Sequence, residues 1–121
     1  MNITGKSIRP FIGAKNYTVS RRFYRDLGYE EIITSPNMSY FHIDGFGFYL
    51  QDAYVKDWID NSMIFLEVHD LEDTLKHIQG LALTDKYENV RLSEIVYNDW
   101  GNEFFLHDPS GILWHFGKFK A

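Results

Sequence analysis

The sequence predicts an α+β fold made of two tandem βαβββ modules, about residues 6–52 and 62–118, joined by a linker at about 53–61 within a single domain spanning residues 1–121. Three observations predict it. Strand-like and helix-like runs follow one another in the same order twice, and such internal repetition fixes an architecture. Arg9 stands seven residues before a helix-capping Asn16, and Met63 stands seven before a helix-capping Asp70. The closing hairpins share a frame, Asp44–Gly47 matching Asp108–Gly111, which sets Gln51 against His115.

The elements follow from local patterns. Ser7–Ala14 reads as a strand with Ile8, Phe11 and Ile12 as its apolar surface. Val19, Phe23 and Leu27 form one helical face after Asn16, and Gly28 ends that helix. Strands at Tyr29–Thr34, Met38–Ile43 and Phe48–Asp52 are separated by turns at Ser35–Asn37 and Asp44–Gly45. The linker has room for one helical turn. Met63–His69 is the strand that opens the second module, and Leu71, Leu75 and Ile78 are the stripe of its helix, which ends near Gly80. Val90–Tyr97, Asn102–His107 and Ile112–Phe116 complete the set, with Asp108–Gly111 as a turn.

A chain of 121 residues can bury a core without covalent staples. Aromatic residues make up 17%, more than a small core needs, so some are expected to line a pocket or an interface. There is no Cys, which excludes a disulfide scaffold, a thiolate zinc site and a cysteine nucleophile, and fits a reducing cytoplasm. The net charge of -5 argues against a nucleic-acid partner and suits a cationic small ligand. No run reaches the ~18 apolar residues of a membrane span, and no apolar stretch of a signal peptide follows Lys6.

With the repeat in place, three segments resemble the vicinal-oxygen-chelate superfamily of glyoxalases, extradiol dioxygenases, fosfomycin-resistance enzymes and bleomycin-resistance proteins. They are Arg22–Tyr29 at the first helix end, Phe65–Leu71 where the second helix begins, and Glu103–Gly111 in the closing hairpin. Asp99–Gly101 and His115–Phe116 look most like bleomycin-resistance proteins. The resemblance implies sheets that curl into cups, and a homodimer in which modules of two chains complete each other's cups.

Catalytic members of that superfamily hold a divalent metal through residues that map here onto Arg9, Gln51, Met63 and His115. Arginine cannot ligate, a thioether suits a hard cation poorly, and Gln51 with His115 alone is an incomplete set. The sequence therefore predicts no metal, no cofactor and no catalytic residue. Strand alternation then defines the cup lining: Arg9 and Phe11, Tyr49 and Gln51, Met63, Phe65 and Glu67, Leu113 and His115. If the hairpins carry no bulge, Tyr40, His42, Phe104 and Leu106 join them. The opposite parity, including Ile8, Ile12, Leu50, Ile64, Trp114 and Phe116, is apolar, as a face beneath helices should be.

The preferred reading is a metal-free, dimeric binding protein of the bleomycin-resistance type that sequesters a flat, partly cationic aromatic compound. Trp100 sits in a turn, where an indole gains little from the core, and would stack on the ligand with Phe65 and Phe104. Tyr49, Met63, Glu67, Gln51, Arg9 and His115 complete the expected site. Arg9 and Glu67 could instead pair with each other. The alternative is a metal-dependent glyoxalase-like lyase or thiol transferase drawing ligands from His42, His107, His115 and Glu103. A third reading fills the cup with the chain's own rings and leaves a protein partner.

Overall fold

The computed structural model describes residues 2–121. The first half comprises β1 (Phe11–Gly13), α1 (Tyr17–Leu27), β2 (Glu30–Ser35), β3 (Met38–Ile43) and β4 (Phe46–Gln51). A short α2 (Lys56–Asp60) occupies the linker. The second half comprises β5 (Met63–Glu67), α3 (Leu71–Gly80), α4 (Leu83–Lys86), β6 (Arg91–Leu92), β7 (Val96–Tyr97), β8 (Gly101–His107) and β9 (Leu113–Phe119).

The repeat holds at the level of topology. One sheet runs β1-β4-β3-β2 with β1 parallel to β4; the other runs β5-β9-β8-β6 with β5 parallel to β9, and β7 also pairs with β8. In both halves the helix is capped as expected. Asn16 accepts from the Val19 N–H at 3.2 Å, and Asp70 accepts from the Asp73 N–H at 3.0 Å. Gly28 closes α1 in the left-handed region at φ 118°, where a side chain would be strained.

The two sheets share one core. Phe23, Tyr24 and Leu27 from α1, Phe41, Phe48 and Leu50 from the first sheet, and Phe104, Leu106, Trp114 and Phe116 from the second belong to a continuous buried cluster. Trp114 is its junction, 5.3 Å from Phe48 and 5.8 Å from Tyr24 between ring centroids. Its indole N–H donates to the Tyr24 hydroxyl at 3.0 Å, and that hydroxyl donates to Asp108 at 2.6 Å. Burial and the neighbouring Asp108 push the Tyr24 pKa well up, so the phenol stays a donor. Among the described residues, no helix is long and apolar enough to cross a membrane.

Several expectations need correction. The opening strand is shorter than Ser7–Ala14, because Pro10 has no N–H to give and restricts the residue before it. Ile8 is 91% exposed rather than packed. The run Val90–Tyr97 breaks into β6 and β7 at Ser93, whose N–H and hydroxyl both bond the Phe105 backbone. The α4 turn carried no periodic signal.

The largest correction concerns the second hairpin. In the first, Ile43 pairs with Phe46 across a two-residue turn, Asp44–Gly45, with φ of 50° and 84°. In the second, His107 pairs with Leu113, leaving the five residues 108–112 in the loop. Asp108 organises that loop by accepting the Ser110, Gly111 and Ile112 N–H groups, each at 2.9 Å. The frames therefore differ by three residues, and parity inverts on β8. Phe104 is fully buried and stacks on Phe116 at 4.8 Å with parallel rings; Leu106 is buried beside it. Neither lines the cup. Tyr40, opposite Tyr49, and His42 do.

Candidate functional site

The outward face of the second sheet carries Met63 and Phe65 from β5, His115 from β9, and Glu103 and Phe105 from β8. Gly101 starts β8 at φ 156°, where a Cβ would collide with the Lys118 carbonyl, so the strand begins directly after Trp100. Gly117 serves the face in another way: a Cβ there would collide with the Phe65 ring, which lies over the bare backbone. Phe65, Trp100 and Phe119 consequently form a ring cluster, with centroids 6.0 Å, 5.6 Å and 5.3 Å apart. The cluster is open, with Phe65 43% and Trp100 40% exposed.

Beside it stands a polar pair. Nδ1 of His115 is 2.8 Å from Oε1 of Glu103, and the Asn98 amide donates to Oε2 of Glu103 at 3.1 Å. Phe65 stacks on the imidazole at 6.3 Å, and Phe105 meets it edge-on at 5.1 Å. Both carboxylate oxygens are thus engaged, and the ring plane is held from two sides.

The first sheet presents the matching face differently. Phe11 stacks on Tyr49 at 4.8 Å, Arg9 donates to the Tyr49 hydroxyl at 2.9 Å, and its guanidinium lies 4.0 Å over the Tyr40 ring. Arg9 therefore pairs with these rings and not with Glu67. Strand pairing sets Phe11 opposite Tyr49 and Phe65 opposite His115, so the structural counterpart of His115 is Tyr49, two residues from the expected Gln51. Glu67 keeps the cup parity and also borders a cavity of about 730 Å³ lined by Asp44, Asp70, Asp73 and the ends of α1 and β5. Among the described residues, no ring contact or side-chain hydrogen bond joins the cup face of one sheet to that of the other.

The donor set does not fit a divalent ion. Arg9 is engaged as a cation, Met63 offers a thioether, Tyr49 stands where Gln51 was expected and accepts from Arg9, and His115 faces a carboxylate through Nδ1. Among the described residues, no three His, Asp or Glu side chains converge as a metal centre needs. Of the alternative ligand pool, only His115 and Glu103 meet. His42 is on the first sheet, and at His107 burial and then Arg91 press the pKa down.

Sequence reasoning thus placed Arg9, Tyr49, Met63, Phe65, Trp100 and His115 on the open faces. It misplaced Phe104 and missed Phe105 and Phe119, and it considered Glu103 only as a metal ligand. The signal for the shift was present in Asp108 followed by Pro109, Ser110 and Gly111, a segment able to supply a longer turn around one carboxylate.

No protein-family model and no curated protein matches the sequence. Solved structures do match. A bleomycin-binding protein from bleomycin-producing Streptomyces verticillus, complexed with copper(II)-bleomycin, aligns with a TM-score of 0.82 at 16% identity, covering 98% of this chain and 100% of that one. A bleomycin resistance determinant encoded on the transposon Tn5 aligns at 0.82 and 13% identity, over 97% and 100%. A bleomycin-binding protein complexed with bleomycin aligns at 0.80 and 14%, over 96% and 100%. The chain has the glyoxalase/bleomycin-resistance fold.

Proposed function

We propose that this chain is a metal-free small-molecule binding protein, a single domain that sequesters a flat, partly cationic aromatic compound in a homodimer groove without chemistry, in the cytoplasm. The observation that carries the reading is the open cluster of Phe65, Trp100 and Phe119 beside the His115–Glu103 pair. Ligand sites combine apolar and aromatic walls with a few placed polar atoms, and this face has that composition. Rings left open to water on one chain are surface that a guest or a second copy would cover. The likeness to bleomycin-binding folds supports the ligand class, and the Glu103 carboxylate supports a positive charge on it. Phe11, Ile32 and Met63 are exposed too, which supports a dimer that closes one chain's first face over another's second.

Sedimentation of the purified chain tests the dimer, and metal analysis tests the donor argument. Thermal denaturation with flat cationic dyes such as proflavine tests the ligand class. A binder at a hundredfold excess over its dissociation constant gains about 2.7 kcal/mol. Trp100→Ala is expected to abolish that gain while leaving the apo protein within about 1 kcal/mol of wild type, since the ring is not in the core. A full gain in Trp100→Ala would remove the site from this face.

A further inference from the structure

We infer that His115 presents Nε2 as a fixed hydrogen-bond acceptor to the cup, so that the ligand must offer an N–H or O–H donor alongside its flat ring. The inference rests on the small-molecule reading above and narrows it. Nδ1 is turned to a carboxylate oxygen, which can only accept when ionised, so the imidazole proton belongs on Nδ1. The carboxylate is in turn held by Asn98, whose amide donates to the other oxygen. A neutral imidazole with its proton on Nδ1 carries its lone pair on Nε2. Among the described residues that nitrogen has no hydrogen-bond partner, and since no buried side-chain nitrogen or oxygen is left unpaired, it is open to solvent. Phe65 over the ring and Phe105 against its edge fix the direction of the lone pair.

The consequence is selectivity rather than affinity alone. An acceptor set among aromatic walls loses its water when a flat guest slides over it. A guest that returns a hydrogen bond recovers that loss, and one that cannot leaves the acceptor unpaired. The matching position in the first half, Tyr49, makes a different demand: its hydroxyl oxygen accepts from Arg9, which leaves the O–H to donate.

The test uses the full chain and two readouts. Nitrogen-15 spectra of the histidine rings in the apo protein should show the His115 proton on Nδ1 and none on Nε2. Titration should then compare 2-aminobenzimidazole, a flat ring with N–H donors, with 1,3-dimethylbenzimidazolium, a flat cation with none. The expected preference for the first is roughly tenfold, and its binding should move the Nε2 resonance. Glu103→Gln should mix the tautomers, and His115→Phe should erase the preference while 1,3-dimethylbenzimidazolium still binds. An imidazolium or a proton on Nε2 in the apo protein overturns the inference whatever the variants do. Equal affinities overturn it while leaving the binding reading intact. If neither compound perturbs Phe65, Trp100 or His115, both readings fall together.

Discussion

In the first half of the chain Phe11 stacks on Tyr49 and Arg9 covers the polar end of that tyrosine; in the second half Phe65 stacks on His115 and the outer end of the imidazole is left open. The positions correspond by strand pairing, so the same backbone has been given two surfaces. One supplies its own cation to its own rings. The other supplies a ring cluster and an acceptor but no cation. A repeat inherited as a fold therefore need not be inherited as two equal sites, and the second half carries the stronger claim to a guest. The inner faces do not diverge in this way: both bury aromatic and aliphatic side chains in one cluster that crosses between the sheets.

The sharpest way to break this contrast is to truncate a ring on each side of the second sheet. Phe104 is fully buried against Phe116, and Phe104→Ala should cost about 3–5 kcal/mol in chemical denaturation through lost burial and the cavity left behind. Phe65 is two strands away, across β9, and 43% exposed, and Phe65→Ala should cost about 1 kcal/mol or less while weakening any ligand of the cup. Equal costs would mean that the two faces are not inner and outer as described.

The same pair of residues shows how far the sequence could be read. Element order and helix caps were legible because they depend on local signals: Asn16 and Asp70 bond N–H groups three residues on. The parity of β5 and β9 was legible because β5 alternates throughout and β9 alternates from Leu113 to Phe116. The parity of β8 was not, because it depends on how many residues the preceding strand leaves to the turn. Asp108 takes three backbone N–H groups and extends the loop to five residues, and one odd count turned Phe104 inward and Phe105 outward. Pairing between distant residues was equally hidden. Nothing in the spacing of Asn98, Glu103 and His115 announces that they form one chain of hydrogen bonds.

A second, smaller effect sharpens the view of the first half as a region that satisfies its own charges. Glu31 on β2 accepts from Arg21 at 2.6 Å, Arg25 at 2.7 Å and Ser39 at 2.6 Å, clamping α1 to the sheet, and its side chain is only 7% exposed. Burial alone would raise its pKa, but the hydrogen bonds from Arg21, Ser39 and Arg25 outweigh it and hold the group at about 2, against 4.5 for a free carboxyl. A depressed folded pKa means stability that is fully present above 4.5 and lost as the pH falls toward about 2. At about 1.4 kcal/mol per pH unit this amounts to about 3 kcal/mol at most. Glu31→Gln should therefore be less stable than wild type at pH 6, and the gap should narrow steadily below pH 4.5. A gap that stays constant down to pH 3 would show that the clamp does not depend on charge.

The smallest expected effect on stability separates a self-contained first face from one that helps to form a shared groove. Arg9 is exposed, and it makes a single hydrogen bond and sets its guanidinium over Tyr40 and, farther off, Tyr49. Arg9→Ala should change folding stability by less than about 1 kcal/mol. Its effect on binding depends on geometry. If a second copy lays its first face over the ring cluster of Phe65, Trp100 and Phe119, Arg9 contributes a positive charge to the groove and opposes a cationic guest. Over roughly 4–8 Å of water-exposed groove that opposition is about 0.5–1 kcal/mol. Removing it should tighten binding of 1,3-dimethylbenzimidazolium about two- to fivefold, and the gain should shrink in high salt. If the two faces never meet, Arg9→Ala will leave that affinity untouched at every ionic strength. The variant thus reports whether Arg9 merely finishes its own half or guards the site of its neighbour.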